Sequence, residues 1–518
     1  MKNEKQRFAI LSVSDKKNID KFARELIKNK YIILSTGGTA KFLTSKNIKN
    51  ISISDFTKFE EILDGRVKTL HPKIHAGILA KNQSSLKNLK DKTYKLIDIV
   101  AVNLYPFEEA VSRKSCTFEN AIENIDIGGP TMLRAAAKNH QRVTVVTDPN
   151  DYNKIIDELE INGKTSSSTR LELAKKVFEK ISQYDAMIFD YLNHQTQSPT
   201  LFSDELIIKL SKKNELRYGE NPHQKAAIYD IKNSLMSGFD YKQLAGKELS
   251  YNNLVDTESA LSCVKQFKKP SCVIVKHANP CGVAETDKLS KSYDFAYKTD
   301  PTSAFGGIIA FNKKVDSKLV KKIISQQFVE VIAAPAFDKE CIDIIKIKPN
   351  IRLLLINNFN VKKKEIEIKS LKNKILIQES DSINITEKDL KKVTIKKPTK
   401  TQIADLLFAF KVSRYVKSNS IVFAKNGRTL GIGAGQMSRI DSTNIAKTKA
   451  KNHGISLKGC VMASEAFFPF RDNVDLAKKI GVTAIIQPGG SISDKDIIDV
   501  ANKHKMSMVL SGIRVFKH

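Results

Sequence analysis

At 518 residues, with 41% hydrophobic and 27% charged residues, the chain has the composition of an ordinary globular protein and room for two to four domains. Its formal charge of +30 favours anionic ligands, yet the lysines are spread over the whole length, no basic region is interleaved with stacking aromatics and Trp is absent, which argues against a specific nucleic-acid partner. Six cysteines with no close pair exclude a disulfide scaffold and a zinc ribbon, and no apolar run approaches the ~18 residues of a membrane span.

Met1–Arg7 carries charges of both signs and leads into no apolar stretch of signal-peptide form, so a cytoplasmic location is expected. Phe8–Val13 reads as a buried strand, followed by Ser14-Asp15-Lys16 and an amphipathic helix through Leu26. Tyr31–Leu34 is a second strand, running into Ser35-Thr-Gly-Gly-Thr39 and a helix from about Ala40. A strand, a small-residue turn and a helix can present backbone N–H groups to a phosphate. Either turn alone is weak evidence, but two turns after consecutive strands of one βαβ arrangement would share a sheet edge.

His71 and His75 have helical spacing, but Pro72 follows His71 and no Glu does, so the metalloprotease form fails. Arg66 and Lys68 read either as a cationic clamp alternating on one face of an extended segment or as part of a solvated loop. Asp98–Leu104 is expected as the third buried strand, ending at Asn103 and Tyr105. A glycine turn carrying Asp126 precedes an Ala-rich helix from Thr131 to Asn139, with Lys138 near its far end, where a cation also suits the helix dipole. Arg142–Val146 closes this unit, and helices continue to about Leu192.

Residues 193–215 lack a core pattern and contain Ser198-Pro199, which places a domain boundary there. Leu216–Gln224 is too polar and broken for a core element, though Arg217 and Tyr218 could grip a phosphate and stack on a base. The run Cys272–Val275 reads as a buried strand that Asn279-Pro280 brings to an end, leaving Lys276 and His277 at its tip. An imidazole beside a fixed ammonium, which disfavours its protonation, suits base catalysis on an anionic substrate. A solvated Lys and an ordinary hydrogen-bonded His stand as the alternative. Asp300–Gly307 places glycines before a strand at Ile308–Phe311. Residues 338–400 are rich in Lys, Ile and Asn, with edge-strand patterns near Asn350–Ile356 and 364–368. A helix from Gln402 to Val416 follows. Gly431–Arg439 lacks the glycine offset of a dinucleotide site, and Ala-Phe-Phe-Pro-Phe470 in a loop is costly unless a planar group covers it.

The segments SVSDK, STGGTAK, GRVKTLHPKIHAGIL, NLYPF, IDIGGPTMLRAAAKNH, LRYGENPHQ, KHANPCG, GAGQMSRID and AFFPFRDNVD occur in the order found in the bifunctional purine-biosynthesis family that joins AICAR transformylase to IMP cyclohydrolase, which the chain closely resembles from end to end. The resemblance implies an α/β protein: a methylglyoxal-synthase-like, doubly wound parallel sheet over residues 1–198, then a duplicated cytidine-deaminase-like α/β domain over 199–518, with units at about 210–370 and 400–518. The zinc-binding H-x-E and P-C-x-x-C elements of deaminases are absent from the sequence, so no catalytic metal is expected.

In this resemblance His277 takes the proton of the AICAR amine and Lys276 stabilises the oxyanion, with 10-formyltetrahydrofolate as co-substrate. Arg217, Tyr218, Asn253, Gly306, Glu330, Asn419, Arg439, Phe467 and Arg514 match AICAR-binding positions, and Ile440, Asp472, Ser491 and Ile492 the folate side. Glu330 departs from the pattern, which has Asp there. For ring closure Lys138 matches the proton-transfer residue, with Asp126 and Tyr105 nearby and Lys68 or Arg66 stabilising charge. Ser14, Asp15, Lys16, Thr36, Gly37, Gly38, Thr39, Arg66, Val67, Thr69, Asn103 and Ile127 would hold the nucleotide. The family also implies a homodimer. Three rivals are weighed against it: a nucleotide-sensing module without turnover, methylglyoxal synthase, which accounts for about the first 150 residues, and an RNA-binding protein suggested by charge.

Overall fold

The structure is a computed structural model that describes residues 6–63, 65–87, 89, 93–113, 115–195, 202, 204–231, 240–359 and 366–518. The chain divides into two compact units, Met1–Lys209 and Leu210–His518. The boundary expected at Ser198-Pro199 lies outside the described residues.

In the first unit, β1 (Arg7–Val13), β2 (Tyr31–Ser35), β3 (Ile51–Ser52), β4 (Ile97–Asn103) and β5 (Thr144–Val146) form one sheet in the order β3-β2-β1-β4-β5, every pair parallel. Ile10, Leu11, Ile33, Leu34 and Val100 are fully or almost fully buried, as strands covered on both faces require. The strand expected third is therefore the fourth. Two-residue β3 is too short to leave a periodic signal. The strand order reverses beside β1, and the crevice at the carboxyl ends of β1 and β4 is where open α/β sheets bind ligands.

The second unit contributes β6 (Leu210–Leu216) and β7 (Ala226–Ile231), which pair as a separate ribbon, so Arg217–Lys225 is the loop of a hairpin. Then follow β8 (Tyr241–Ala245), β9 (Ser271–Lys276), β10 (Asn279–Glu285), β11 (Gly307–Phe311), β12 (Val329–Ala334), β13 (Arg352–Ile356), a second ribbon of β14 (Ile366–Leu371) and β15 (Lys374–Glu379), β16 (Lys391–Lys392), β17 (Ile421–Lys425), β18 (Arg428–Gly433), β19 (Val461–Ser464), β20 (Ala484–Gln487) and β21 (Ser507–Leu510). Apart from the two ribbons, these strands make a twelve-stranded sheet in the order β16-β21-β20-β19-β17-β18-β10-β9-β11-β12-β13-β8. β13, expected at an edge, is interior, between β12 and β8. Its covering strand precedes it by more than a hundred residues, beyond the reach of a local pattern.

This sheet is a repeat, read outward in both directions from the β10–β18 pair. Helices Tyr251–Val264 and Lys400–Ser413 open the two halves, each with a capping box, Ser250 with Asn253 and Thr399 with Gln402. Alternate residues Val273, Val275 and Val331 of one half and Val422, Ala424 and Val461 of the other enter one shared core. Their neighbours Ile274 and Ile332, and Phe423 and Met462, fill separate cores on the opposite face.

Each half also needs a glycine where a helix meets the sheet centre. A methyl on Gly282 would lie 1.9 Å from the carbonyl oxygen of Ala296, and one on Gly431 2.4 Å from that of Ala446. Backbone cannot yield as a flexible side chain does, so Gly282→Ala is expected to cost about 3 kcal/mol. A lowered urea midpoint with unchanged slope checks this.

Candidate active sites

At the strand-order reversal in the first unit, Asn103 at the end of β4 ties down the loop after β1. Its Oδ1 accepts from the N–H groups of Ser14 and Asp15 (3.0 Å for Asp15), while its Nδ2 donates to Asp15 O at 3.0 Å. The two glycine-bearing or polar turns do share one sheet edge. Ser12 Oγ lies 2.7 Å from Thr36 Oγ1, and Val13 N–H donates to Thr39 Oγ1 at 3.0 Å. The second helix starts at Gly37 rather than near Ala40, because Gly-Gly is its first turn. No side chain caps that helix, so its first N–H groups remain available to an acceptor. The Lys16 ammonium donates to the carbonyls of Val13 and Ser14, and burial pushes its pKa down.

Lys68 enters the same crevice: a methyl on Gly37 would lie 3.6 Å from its Nζ and one on Gly65 3.7 Å. Thr69 is buried against Gly128, and the half-buried His75, whose pKa burial lowers, bonds the Thr69 backbone. Asp126 Oδ1 accepts from Gly129 N–H at 2.8 Å, and its own N–H donates to Tyr184 Oη at 2.8 Å. Burial raises the Asp126 pKa, against the opposing effects of the Gly129 and Tyr105 backbone hydrogen bonds and the Lys68 charge. Lys68, Asp126 and the Tyr105 backbone thus form one cluster, beside which Ile127 is exposed.

Two expectations change here. Arg66 and Lys68 do not form a clamp on an extended segment: Gly65 and Arg66 lie in a turn, Ile62 and Val67 form an isolated bridge, Lys68 lies in a bend, and Arg66 pairs with Glu123. Nor does Lys138 lie near Asp126. It ends the helix Gly128–Lys138, so roughly 15 Å of helix rise separate it from the glycine turn.

In the second unit the strand carrying Lys276 and His277 does not empty into a loop. β9 and β10 form a hairpin whose two-residue turn is His277-Ala278, with φ of 51° and 57°, and Asn279-Pro280 already belongs to β10. This two-residue left-handed turn suits the twist of a hairpin. Asp256, from helix Tyr251–Val264, holds it by accepting from His277 N–H at 3.2 Å and Ala278 N–H at 2.7 Å. Burial raises the Asp256 pKa, opposed by those two bonds and by the neighbouring His277 and Lys276 side chains, so the imidazole and the ammonium lie near one carboxylate. Lys276 Nζ donates to Phe305 O and Gly306 O, each at 3.1 Å. An ammonium has three donors, and the third is left for a ligand.

The antiparallel hairpins and parallel outer strands bring the remaining expected residues to this same rim. Asn253 Nδ2 donates to Glu330 Oε2 at 2.6 Å, and Glu330 lies 3.8 Å from Arg352, whose guanidinium also senses Arg217 and Tyr218. Arg217 lies over the Tyr218 ring. Beyond β18, Asn419 donates to the carbonyls of Gln436 and Met437, and Arg439 bonds Ser464 Oγ at 3.2 Å and the fully buried Glu465 at 3.1 Å. Arg514 stacks 4.4 Å from the Phe516 ring centroid. Of the aromatic loop, Phe468 is core, whereas Phe467 and Phe470 are exposed. Asp472 accepts from Asn473 N–H, Ser491 Oγ accepts from Ser493 N–H, and Ile440 and Ile492 lie in the same rim segments, Ile492 fully exposed. A cleft of 640 Å³ lined by Tyr297, Phe305, Phe328 and residues 347–351 includes neither Lys276 nor His277 in its lining. Among the described residues no group of three or more His, Cys, Asp or Glu could hold a metal ion.

Sequence reasoning missed Asp256 and Arg352. Asp256 did leave a signal, because Asp405 recurs at the same place after the second capping box and accepts from the N–H groups of Asn426 and Gly427, each at 2.9 Å. Asp256→Asn is expected to destabilise the fold by about 1–2 kcal/mol and to lower formyl transfer. Asp405→Asn should give the loss of stability alone, as urea midpoints and kcat of both variants will report.

A sheet crevice with an acid–ammonium cluster in one unit, and an imidazole–ammonium rim with arginines in the other, define an α/β enzyme with two reaction centres for anionic substrates. Residues 18–131 match the family model of the MGS-like domain, and residues 136–449, more than half of the chain, match that of the AICARFT/IMPCHase bienzyme. The chain belongs to the AICARFT/IMPCHase bienzyme family. It is therefore a formyltransferase and IMP cyclohydrolase of the last two steps of purine biosynthesis, using a formyl-folate co-substrate. A solved structure titled "Crystal structure of ForH" is 34% identical over 36% of this chain and 95% of that one, with a TM-score of 0.33.

Proposed function

We propose that the second unit transfers the formyl group of 10-formyltetrahydrofolate to the 5-amine of AICAR and that the first closes the product to IMP with loss of water. The observation that carries this reading is the His277 turn, where a base and an ammonium face one carboxylate on a rim lined with arginines. The AICAR amine is conjugated with its ring and carboxamide, which makes it a poor nucleophile. His277 takes its proton as the C–N bond forms, the free N–H of Lys276 binds the oxyanion of the tetrahedral intermediate, and collapse of that intermediate breaks the formyl C–N10 bond, N10 leaving as tetrahydrofolate with the proton returned by the imidazolium. Arg217, Tyr218, Asn253, Gly306, Glu330, Asn419, Arg439, Phe467 and Arg514 hold AICAR, with Arg352 added to them. Ile440, Asp472, Ser491 and Ile492 lie on the folate side. Neither step calls for a metal.

In ring closure the carboxamide nitrogen loses a proton and the formyl oxygen gains one. In this reading Asp126 accepts the first, supported by its position beside Lys68, which stabilises charge, with Tyr105 at the corner. Ser14, Asp15, Lys16, Thr36, Gly37, Gly38, Thr39, Arg66, Val67, Thr69, Asn103 and Ile127 bind the nucleotide, and positioning supplies much of the rate. Lys138 keeps its expected proton-transfer role only if a second copy brings it to this crevice, which accords with a homodimer. Residues 1–198 and 199–518 are the corresponding domains, and the enzyme works in the cytoplasm without nucleic acid. Incubation with AICAR and 10-formyltetrahydrofolate tests the proposal: tetrahydrofolate release and IMP formation, followed separately, should both depend on this chain, and failure of either rejects that half.

A further inference from the structure

The repeat in the twelve-stranded sheet carries a second copy of the His277 turn to the opposite rim. Asn426 and Gly427 turn with φ of 55° and 68° between β17 and β18, held by Asp405 as Asp256 holds the first turn. Lys425 stands where Lys276 stands: its Nζ donates to Lys458 O at 3.0 Å, and a methyl on Gly459 would lie 3.1 Å from it, the separation found between Gly306 and Lys276. The pairing of Ala284 with Arg428 sets this turn beside the far end of β10, away from His277. Asn426 replaces the imidazole, so this copy has the frame of a reaction centre without its base.

A cleft of 620 Å³ opens at the copied turn. Its lining includes Lys298, Lys425, Arg428, Lys458 and His453 but no carboxylate. None of the four fixed cations forms an ion pair among the described residues. The buried Asp300 behind the cleft pairs with Lys449 at 2.8 Å and lies 3.3 Å from His453, so it leaves the four fixed cations unneutralised. Arg428 lies 4.4 Å from the Phe295 ring centroid, which fixes the plane of its guanidinium. Four like charges around a half-open cavity repel one another until an anion enters, and a planar, pre-oriented guanidinium matches phosphate bidentately. The volume falls in the range of small-molecule sites.

We infer that this cleft is a binding site for a phosphorylated small molecule up to the size of a mononucleotide, separate from both reaction centres. The chain has no Trp, so Ser456→Trp, on the exposed lip of the cleft, gives a single indole that reports on this site alone. In the full-length protein, millimolar inorganic pyrophosphate and adenosine 5′-diphosphate should each change its fluorescence saturably and slow hydrogen exchange of residues 425–430. Citrate, a trianion without phosphate, should bind at least about tenfold more weakly. Lys298→Gln with Lys458→Gln, both exposed, should weaken pyrophosphate binding by about tenfold or more and leave formyl transfer and ring closure unchanged. Arg428→Gln should do the same. Stronger binding of the diphosphate nucleoside than of pyrophosphate identifies a nucleotide; equal binding identifies the phosphate group as the whole determinant. Absence of both the fluorescence and the exchange response, equal binding of citrate, or an unchanged affinity in the charge variants would overturn the inference.

Discussion

His277→Ala should slow formyl transfer by about 10²- to 10⁴-fold while ring closure of supplied formyl-AICAR continues at the parent rate. The magnitude follows from what the side chain does: without a proton acceptor, nitrogen must attack while still carrying the hydrogen whose loss makes the product stable. Tetrahydrofolate release measures the first step and IMP formation from formyl-AICAR the second. Because His277 is exposed and its backbone conformation is set by Asp256 through N–H groups that Ala retains, the variant should fold normally. Formyl transfer within a few-fold of the parent would remove His277 from the mechanism. Lys276→Ala should show a comparable loss, with the added cost that the carbonyls of Phe305 and Gly306 lose their donor.

Asp126→Asn should lower ring closure by about 10²-fold or more and leave formyl transfer intact. The pH profile makes the test sharper. A carboxylate accepts a proton only when ionised, so activity falls as pH drops through its pKa. Burial raises that pKa, and the acidic limb should therefore lie above the ordinary carboxylate value of roughly 3.9. In Asp126→Asn the limb should vanish together with the rate. A limb that survives at the same pH would assign the proton to another group.

Much of this geometry was legible because it is local. Strand-then-turn signals at Ser14–Lys16 and Thr36–Thr39 specify neighbouring parallel strands, and parallel strands deliver their turns to one edge. The His277 hairpin was not legible. Ala is a poor candidate for a left-handed turn, and Asn-Pro mimics the end of a strand although Pro can occupy its start. The clamp of Arg66 and Lys68 failed because alternation along a sequence has meaning only in an extended backbone, and this segment turns. Lys138 differs for the opposite reason: its helix is legible in the sequence, but the rise of that helix sets it apart from the glycine turn. Asp256 and Arg352 act across long stretches of chain, and only the recurrence of the capped helix with its following Asp could have revealed the former.

The continuous sheet has a consequence for inherited variation. With β10 bonded to β18 and a single core drawn from both halves, the half bearing Asn426 is no spectator to the chemistry at His277. A lesion such as Gly431→Ala, far from any reacting atom, would deplete the whole second unit and register in a cell as a shortage of purines.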